Sequence, residues 1–411
     1  MAPYRLSYVK TLVTAAILGL SVFLITHVVA SSTSGFAKPL IVVVGWSATL
    51  VLLLVLMGAA VVLYRDQMRA GRRIDLFDAA NESRAENALA TTHPDLGILL
   101  RRLGRRVMRR QTLLVGDTVT IRSLQEIRRT LDGSGCLDGL PFMAEMAGFC
   151  GQRARVFRRV DKIYDYGRTK SLRRLKGAVL LTGLRCDGSA HDGCQASCYL
   201  LWKEAWLSLA AEDRSARDYR GSRASMPSGV TAASRGRYTC QYTQLANSSS
   251  PMTKWDIRQD FRPLIAGNVT LGAFCVAILT RLFNAVQTLR NGAGYPGWEI
   301  GSTRHNAQST EQRLASGDTV RVLPISDIAL TLNSRGRNRG LWFDRDMVRH
   351  CGRRYTILRR VERIIDDATG EMLELKTPSV VLDGAEASGE FLRFCAQHEY
   401  PLWREAWLSR E

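Results

Sequence analysis

The sequence lacks the short motifs that identify the commonest enzyme classes. It has no phosphate-binding glycine loop, no nucleophile elbow and no His-Glu-x-x-His zincin signature. These absences argue against P-loop nucleotide hydrolysis, α/β-hydrolase chemistry and zincin-type proteolysis. The acidic residues form no obvious acid–base pair along the chain either. A role in binding is therefore favoured over catalysis.

Lysine is scarce, and acidic residues are outnumbered. The chain has 57 Lys and Arg residues against 38 Asp and Glu, a formal net charge of +19, and about 8 of the 57 are Lys. Guanidinium groups suit phosphate and anionic lipid headgroups, so contact with lipid or with nucleic acid is one interpretation. Because the arginines are spread over the whole chain, a GC-rich genome explains them equally well.

Charge is absent from two long apolar runs, at residues 12–30 and 40–64. Each run is long enough to cross about 30 Å of hydrocarbon as a helix. Basic residues flank the pair, which favours both termini on the cytoplasmic side. The sequence therefore predicts a two-helix transmembrane hairpin at residues 1–73, with the lipid bilayer of a bacterial inner membrane as a partner.

A basic segment at residues 74–115 follows these runs. Apolar residues recur at helical spacing from position 96 to position 107, and no acidic residue interrupts the arginines between them. The pattern is typical of a helix on an anionic lipid surface, or of an ordinary helix packed on the next domain. The arginines assigned to the lipid surface are Arg101, Arg102, Arg105, Arg106, Arg109 and Arg110.

The sequence contains an internal duplication. Gly-Asp-Thr-Val at residues 116–119 returns 201 positions later, and Trp-Lys-Glu-Ala-Trp-Leu at residues 202–207 returns at the same offset as Trp-Arg-Glu-Ala-Trp-Leu. We therefore predict one domain at residues 116–210 and a second at residues 317–411. Residues 211–316 would form a linker and a helical middle region.

Alternating apolar residues predict short strands within each copy, such as a buried strand at residues 177–184. The fold class expected is mainly β with α: the N-terminal hairpin, then two tandem SH3-like small barrels. The Trp-x-x-x-Trp ending would close each barrel as a lid. Residues 268–290 predict a packed amphipathic helix, because Arg281 and Asn284 argue against a third membrane span.

The cysteines form one notable cluster. Nine cysteines is an odd number, and in a cytoplasmic location they would stay reduced. Closely spaced thiols and an imidazole on a Gly-rich turn can bind zinc, with iron–sulfur as the less favoured alternative. Buried reduced thiols explain the same pattern without a metal. The candidate ligands in the first copy are Cys150, Cys186, His191, Cys194 and Cys198.

The second copy keeps only part of this cluster. Ala387 stands where the first copy has Cys186, and Glu399 stands where it has Cys198. A second metal site would therefore have to use Cys351, Cys395 and His398, or it has been lost.

Four motifs resemble a bacterial protein family that has no assigned activity. They are Gly-Leu-Pro-Phe-Met at 139–143, Phe-Cys-Gly at 149–151, Gly-Leu-Arg-Cys-Asp-Gly at 183–188 and Trp-Lys-Glu-Ala-Trp-Leu at 202–207. The resemblance covers most of residues 116–409 and implies an association with gene clusters for surface polysaccharides or specialised metabolites. It implies no catalytic residues.

The leading hypothesis is a membrane-anchored cytoplasmic binding or scaffold protein that recruits a protein partner. A metal-dependent enzyme or assembly factor of envelope polysaccharide or specialised-metabolite biosynthesis is the first alternative. A nucleic-acid-binding membrane protein is the second.

Overall fold

The computed structural model describes residues 113–210, 236–253, 256, 258–292, 294–297 and 313–411. The hairpin predicted at residues 1–73 lies outside these residues. So does the basic segment up to residue 112, with its six arginines.

The first copy contains nine strands and the short helix α1 (Leu124–Arg128). The strands are β1 (Thr118–Ile121), β2 (Cys136–Leu137), β3 (Leu140–Pro141), β4 (Arg153–Arg159), β5 (Lys162–Asp165), β6 (Ser171–Arg174), β7 (Ala178–Arg185), β8 (Tyr199–Lys203) and β9 (Leu207–Leu209). Single 3-10 turns lie at Ala144–Phe149, Ser189–His191 and Glu204–Trp206. Helix α1 begins with a capping box, in which Ser123 and Glu126 bond each other's backbone N–H.

The middle region and the second copy follow. The middle region has α2 (Leu245–Ser248), β10 (Ser250–Pro251), α3 (Arg258–Ile265) and α4 (Leu271–Leu289). The second copy has β11 (Thr319–Val322), α5 (Ile325–Leu330), β12 (Arg337–Asn338), β13 (Leu341–Trp342), β14 (Arg354–Ile365), β15 (Met372–Leu382), β16 (Trp403–Arg404) and β17 (Leu408–Arg410). Its 3-10 turns are Arg345–His350, Glu390–Leu392 and Glu405–Trp407.

The two copies have the same sheet topology. The first forms a five-stranded antiparallel sheet in the order β8-β7-β4-β1-β9, and the second forms the order β16-β15-β14-β11-β17. In the second copy β14 and β15 run on as one long hairpin. In the first copy the same hairpin is divided. Strands β5 and β6 form its outer half, and β6 also pairs with β10 of the middle region.

Each core is built around a Phe and two Trp side chains. In the first copy Phe142, Trp202 and Trp206 are almost fully buried, and the ring of Phe142 meets that of Trp206 edge-on at 5.3 Å. Phe343 meets Trp407 in the same way at 5.2 Å. Such aromatic contacts add to the large apolar area that these rings bury. Trp202 lies on a strand and Trp206 on a 3-10 turn, so the Trp-x-x-x-Trp motif supplies core residues from two elements.

The copies pack on each other reciprocally. Gln195, before β8, donates its backbone N–H to the carbonyl O of Arg363 on β14 at 3.1 Å. Tyr164 on β5 donates its backbone N–H to Cys395 Sγ, before β16, at 3.3 Å. Each loop therefore contacts the hairpin of the other copy, the pattern of an isologous dimer within one chain.

Helix α4 is apolar and little covered. The window Gly272–Leu289 has a mean hydropathy of 1.4, with 11% of its residues buried. It is the one helix in the described ranges that is long and apolar enough to cross a membrane. Phe274 and Ala277 are buried against the second copy near Phe394. Leu282 and Leu289 are exposed, so the helix is less packed than predicted.

The predicted fold class is wrong as an architecture. The described residues form mostly β-strands with some helices. They contain one candidate apolar helix, in the middle region, and no two-helix hairpin. The copies are not separate barrels joined by a linker, because they share a packed interface in which the middle region takes part. Periodicity reports the pattern within a segment and carries no information on which segments pack together.

Candidate metal centre

Three ligand-bearing side chains of the first copy converge in its interior. Cys186 follows β7, His191 ends the turn Ser189–His191, and Glu145 lies on the turn Ala144–Phe149. Cys186 Sγ lies 3.8 Å from His191 Nδ1, which lies 3.9 Å from Glu145 Oε1. The ligand atoms of all three lie within 4.8 Å of one another. Ligands on one tetrahedral zinc ion are roughly 3.3–3.8 Å apart, so a small contraction would produce that geometry.

A tight turn brings His191 back to Cys186. Asp187 begins it, because its Oδ1 accepts bonds from the backbone N–H of Ser189 at 2.9 Å and from its hydroxyl at 2.6 Å. Gly188 follows with φ +76°, and a Cβ there would collide with the carbonyl O of Cys194. This position therefore needs glycine for both its backbone angle and its close contact.

Some polar atoms of this group have no hydrogen-bond partner among the described residues. The side chains of His191 and Glu145 are 2% and 5% exposed. Both Glu145 carboxylate oxygens and His191 Nε2 are buried and have no hydrogen-bond partner among the described residues. Buried polar groups without partners are costly and rare in folded proteins. A bound cation would compensate the carboxylate directly.

Burial raises the pKa of the Cys186 thiol above its ordinary value, and the Glu145 carboxylate raises it further. The metal-free thiol is therefore protonated at neutral pH. A metal would have to displace this proton, since the thiolate is the ligand. Cys194 lies near enough to add to the same upward shift. It does not belong to the group that lies within 4.8 Å.

The second copy neutralises the matching acid. Asp346 occupies the position of Glu145 and accepts hydrogen bonds from the Ser388 hydroxyl at 2.7 Å and the Gly389 N–H at 2.9 Å. The Arg349 guanidinium lies 3.1 Å from the same carboxylate. The carboxylate is therefore fully satisfied by protein atoms. The other two positions of the group carry Ala387 and Leu392, which offer no ligand.

The remaining predicted ligands of the first copy lie elsewhere. Cys150 Sγ contacts the carbonyl O of Met146 at 4.0 Å and packs against the core. Cys198 is joined to Cys186 through its backbone, because its carbonyl O accepts the Cys186 N–H at 2.8 Å. Burial raises the pKa of both the Cys150 and Cys198 thiols. Neither belongs to the converging group.

The residues predicted for a second site are dispersed. Cys351 belongs to the second core. Cys395 Sγ accepts the backbone N–H of Tyr164. His398 packs edge-on against Phe157 of the first copy, with ring centroids 4.9 Å apart, and burial holds its pKa well below the ordinary value. In the described residues these three side chains form no ligand group.

Glu145 is the candidate ligand that sequence reasoning missed. It lies about 40 positions before Cys186, so no local spacing links the two. The repeat contains a usable signal, because both copies place an acidic residue here, Glu145 and Asp346.

Comparison with models of protein families, with curated proteins and with solved structures gives no match for this chain. The resemblance stated from the four motifs therefore stays a prediction. What the described residues define is a mostly β chain with a Glu-Cys-His group that could hold a metal ion.

Proposed function

We propose that this chain is a binding or scaffold protein whose first copy is stabilised by a structural zinc ion. The observation that carries the metal is the uncompensated Glu145 carboxylate beside Cys186 and His191. The equivalent Asp346 is paired with Arg349. The acid is thus compensated by protein groups in the second copy and, in this proposal, by a cation in the first.

Zinc is the metal that fits this donor set best. A thiolate, an imidazole and a carboxylate are all ordinary zinc ligands, and zinc accepts them in a tetrahedral arrangement. An iron–sulfur cluster fits less well, because it requires several thiolates and the group contributes one. Cys194 would complete the coordination of a structural ion, whereas a water molecule in the fourth position would mark an open, catalytic site.

A structural role follows from the burial of the ligands. His191 is 1% exposed, so the group is poorly accessible to a substrate. The turn that contains it precedes Gln195, which bonds to the second copy. Fixing this turn would therefore stabilise the interface between the copies.

The binding role is supported by one exposed tryptophan side chain. Trp342 on β13 is 58% exposed, whereas Trp202, Trp206, Trp403 and Trp407 are fully buried. Exposed tryptophan is a common anchor in protein interfaces. We therefore place a protein-binding surface at Trp342. A location at a bacterial membrane stays a prediction from composition.

Metal analysis of the purified full-length chain tests whether the first copy binds zinc. We expect close to one zinc per chain, lost in the Cys186→Ser/His191→Gln variant. Cys150→Ser is the matched control and should retain the metal. A metal-free wild type, or a double variant with unchanged zinc content, would overturn the proposal.

Site-specific photo-crosslinking tests the partner surface. A photoreactive residue at position 342 should give one defined cross-linked product in cells, and the same residue at exposed Thr182 should not. Equal products at both positions would exclude a specific surface at Trp342.

An enzyme remains the second candidate because the group has three protein ligands, the number found in catalytic zinc sites with an open position. Cobalt substitution separates the two roles. The visible spectrum should be insensitive to cyanide if the ion is structural, and a spectral change on adding cyanide would favour the enzyme.

A further inference from the structure

A polar cavity lies apart from the metal group, between the β5–β6 hairpin, α3 and the loop around Phe394. Its volume is about 110 Å³. Both copies and the middle region contribute to its wall. The lining residues used below are Arg159, Lys162, Arg174, Gln259, Arg262 and Phe394.

The wall carries an excess of positive charge. Lys162 is 3% exposed, and its Nζ donates to the carbonyl O of Gln259 at 2.8 Å, which leaves two N–H groups. Arg174 and Arg262 have no carboxylate partner within the described ranges, and both line the cavity. A buried ammonium with free donors beside two guanidinium groups is a site for an anion.

The acids near the cavity are largely engaged. Asp161 pairs with Arg159 at 3.0 Å. Asp260, close to Lys162, is held by Arg281 at 3.1 Å and Arg393 at 2.6 Å. Asp256 is the remaining acid on the wall, and it too makes an interaction. The acids therefore leave a net positive wall.

Gln259 adds a requirement for a hydrogen-bond donor. Its Nε2 donates to the carbonyl O of Thr253 at 2.8 Å, which fixes the orientation of the amide. Its Oε1 is then the free end, buried and without a partner among the described residues. Gln259 is 2% exposed, so bulk water does not satisfy this oxygen. A ligand here would need both negative charge and a hydrogen-bond donor.

We infer that this cavity binds a phosphoryl group with one protonated oxygen, as inorganic hydrogen phosphate or as the end of a phosphate monoester. Lys162, Arg174 and Arg262 contact its anionic oxygens. Gln259 Oε1 accepts the P–O–H proton. This inference goes beyond the proposed scaffold role and does not depend on the metal.

Calorimetric titration of the full-length protein with inorganic phosphate tests the inference, with sulfate and glycerol phosphate in parallel. The titrations are run at pH 6, because the second pKa of a phosphate monoester is about 6 and much of it then retains a P–O–H proton. Sulfate has the same shape but no proton to donate at neutral pH, so it should bind at least about tenfold more weakly, the effect of one buried hydrogen bond. Tighter binding of glycerol phosphate than of phosphate would identify a monoester as the ligand. The reverse order would identify the free ion.

Arg174→Gln and Arg262→Gln should each weaken phosphate binding on the order of tenfold. Arg129→Gln removes an exposed arginine that does not line the cavity and should change nothing. Gln259→Leu should abolish the preference for phosphate over sulfate. The inference is overturned by phosphate that does not bind at millimolar concentration, or by equal effects of the three arginine variants.

Discussion

Trp206 Nε1 donates a hydrogen bond to Thr130 Oγ1 at 3.0 Å, and the ring of Trp206 is fully buried. The second copy repeats the relationship at 2.9 Å between Trp407 and Thr331. The repeated Thr and the second Trp of the Trp-x-x-x-Trp motif therefore form one structural unit that recurs in both copies. It ties the closing turn of each sheet to the short helix near its start.

Replacing Thr130 with valine tests this unit. Valine keeps the shape but leaves the buried indole N–H of Trp206 without a partner, which costs about 1–3 kcal/mol. Urea unfolding should show a lower midpoint with an unchanged slope. Thr182→Val is the control, because Thr182 is exposed and its loss should change stability by less than about 0.5 kcal/mol. Equal midpoints for the two variants would contradict the role of the bond.

The two matched acids should respond differently to neutralisation. Glu145→Gln removes a ligand and should lower zinc affinity by more than about 100-fold, since losing an outer-shell partner alone costs roughly 10–100-fold. Asp346→Asn should leave zinc content unchanged. It should reduce the free energy of unfolding by about 1–3 kcal/mol, because an amide cannot accept both buried hydrogen bonds that Ser388 and Gly389 donate to the carboxylate. Arg349 keeps Glu390 as its acidic partner. Competition with a chromophoric chelator and urea unfolding measure the two effects. Loss of zinc in Asp346→Asn would refute the assignment to the first copy.

Lys162 should make stability rise with pH in the alkaline range. Burial lowers its pKa to about 8, from the ordinary value of 10.5. Between these values the unfolded chain binds the proton that the folded chain has lost, so the free energy of unfolding contributed by this group increases with pH. Lys162→Met should lack that increase. The difference between wild type and variant is measured by urea unfolding below pH 8 and near pH 10.5. A difference that is constant with pH would contradict the shifted titration.

Glu399 should make the stability of the folded chain fall as pH rises toward 8. Burial raises its pKa to about 8, and the nearby Asp367 adds to the shift. Between its ordinary value of 4.5 and about 8, the folded chain retains a proton that the unfolded chain loses, so this contribution to stability falls as pH rises. Glu399→Gln should be the more stable protein at pH 8. Glu374→Gln, at an exposed site, should follow the wild-type profile. Parallel profiles for all three proteins would exclude a buried, protonated Glu399.

Of the candidate ligands named from the sequence, the two that the structure brings together are neighbours along the chain. Cys186 and His191 lie five positions apart on one turn, and their distance in the structure follows from that turn. Glu145 is distant in sequence, and it reaches the site because its turn Ala144–Phe149 contacts the turn Ser189–His191. Cys150 and Cys198 carry the right chemistry and pack against the same core, but they do not belong to the converging group. Residue type therefore identified candidates, and packing selected among them.

The duplication, the paired Trp motifs and the strand-forming segments were determined by the sequence itself, because each depends on local order and side-chain pattern. Only the tertiary structure decided that a loop of each copy contacts the hairpin of the other. It also decided that Glu145 lies beside Cys186 and His191, and that Arg349 pairs with the matching Asp346. These features depend on which surfaces meet after folding. A linear pattern does not encode that directly, since the contacts join residues far apart along the chain.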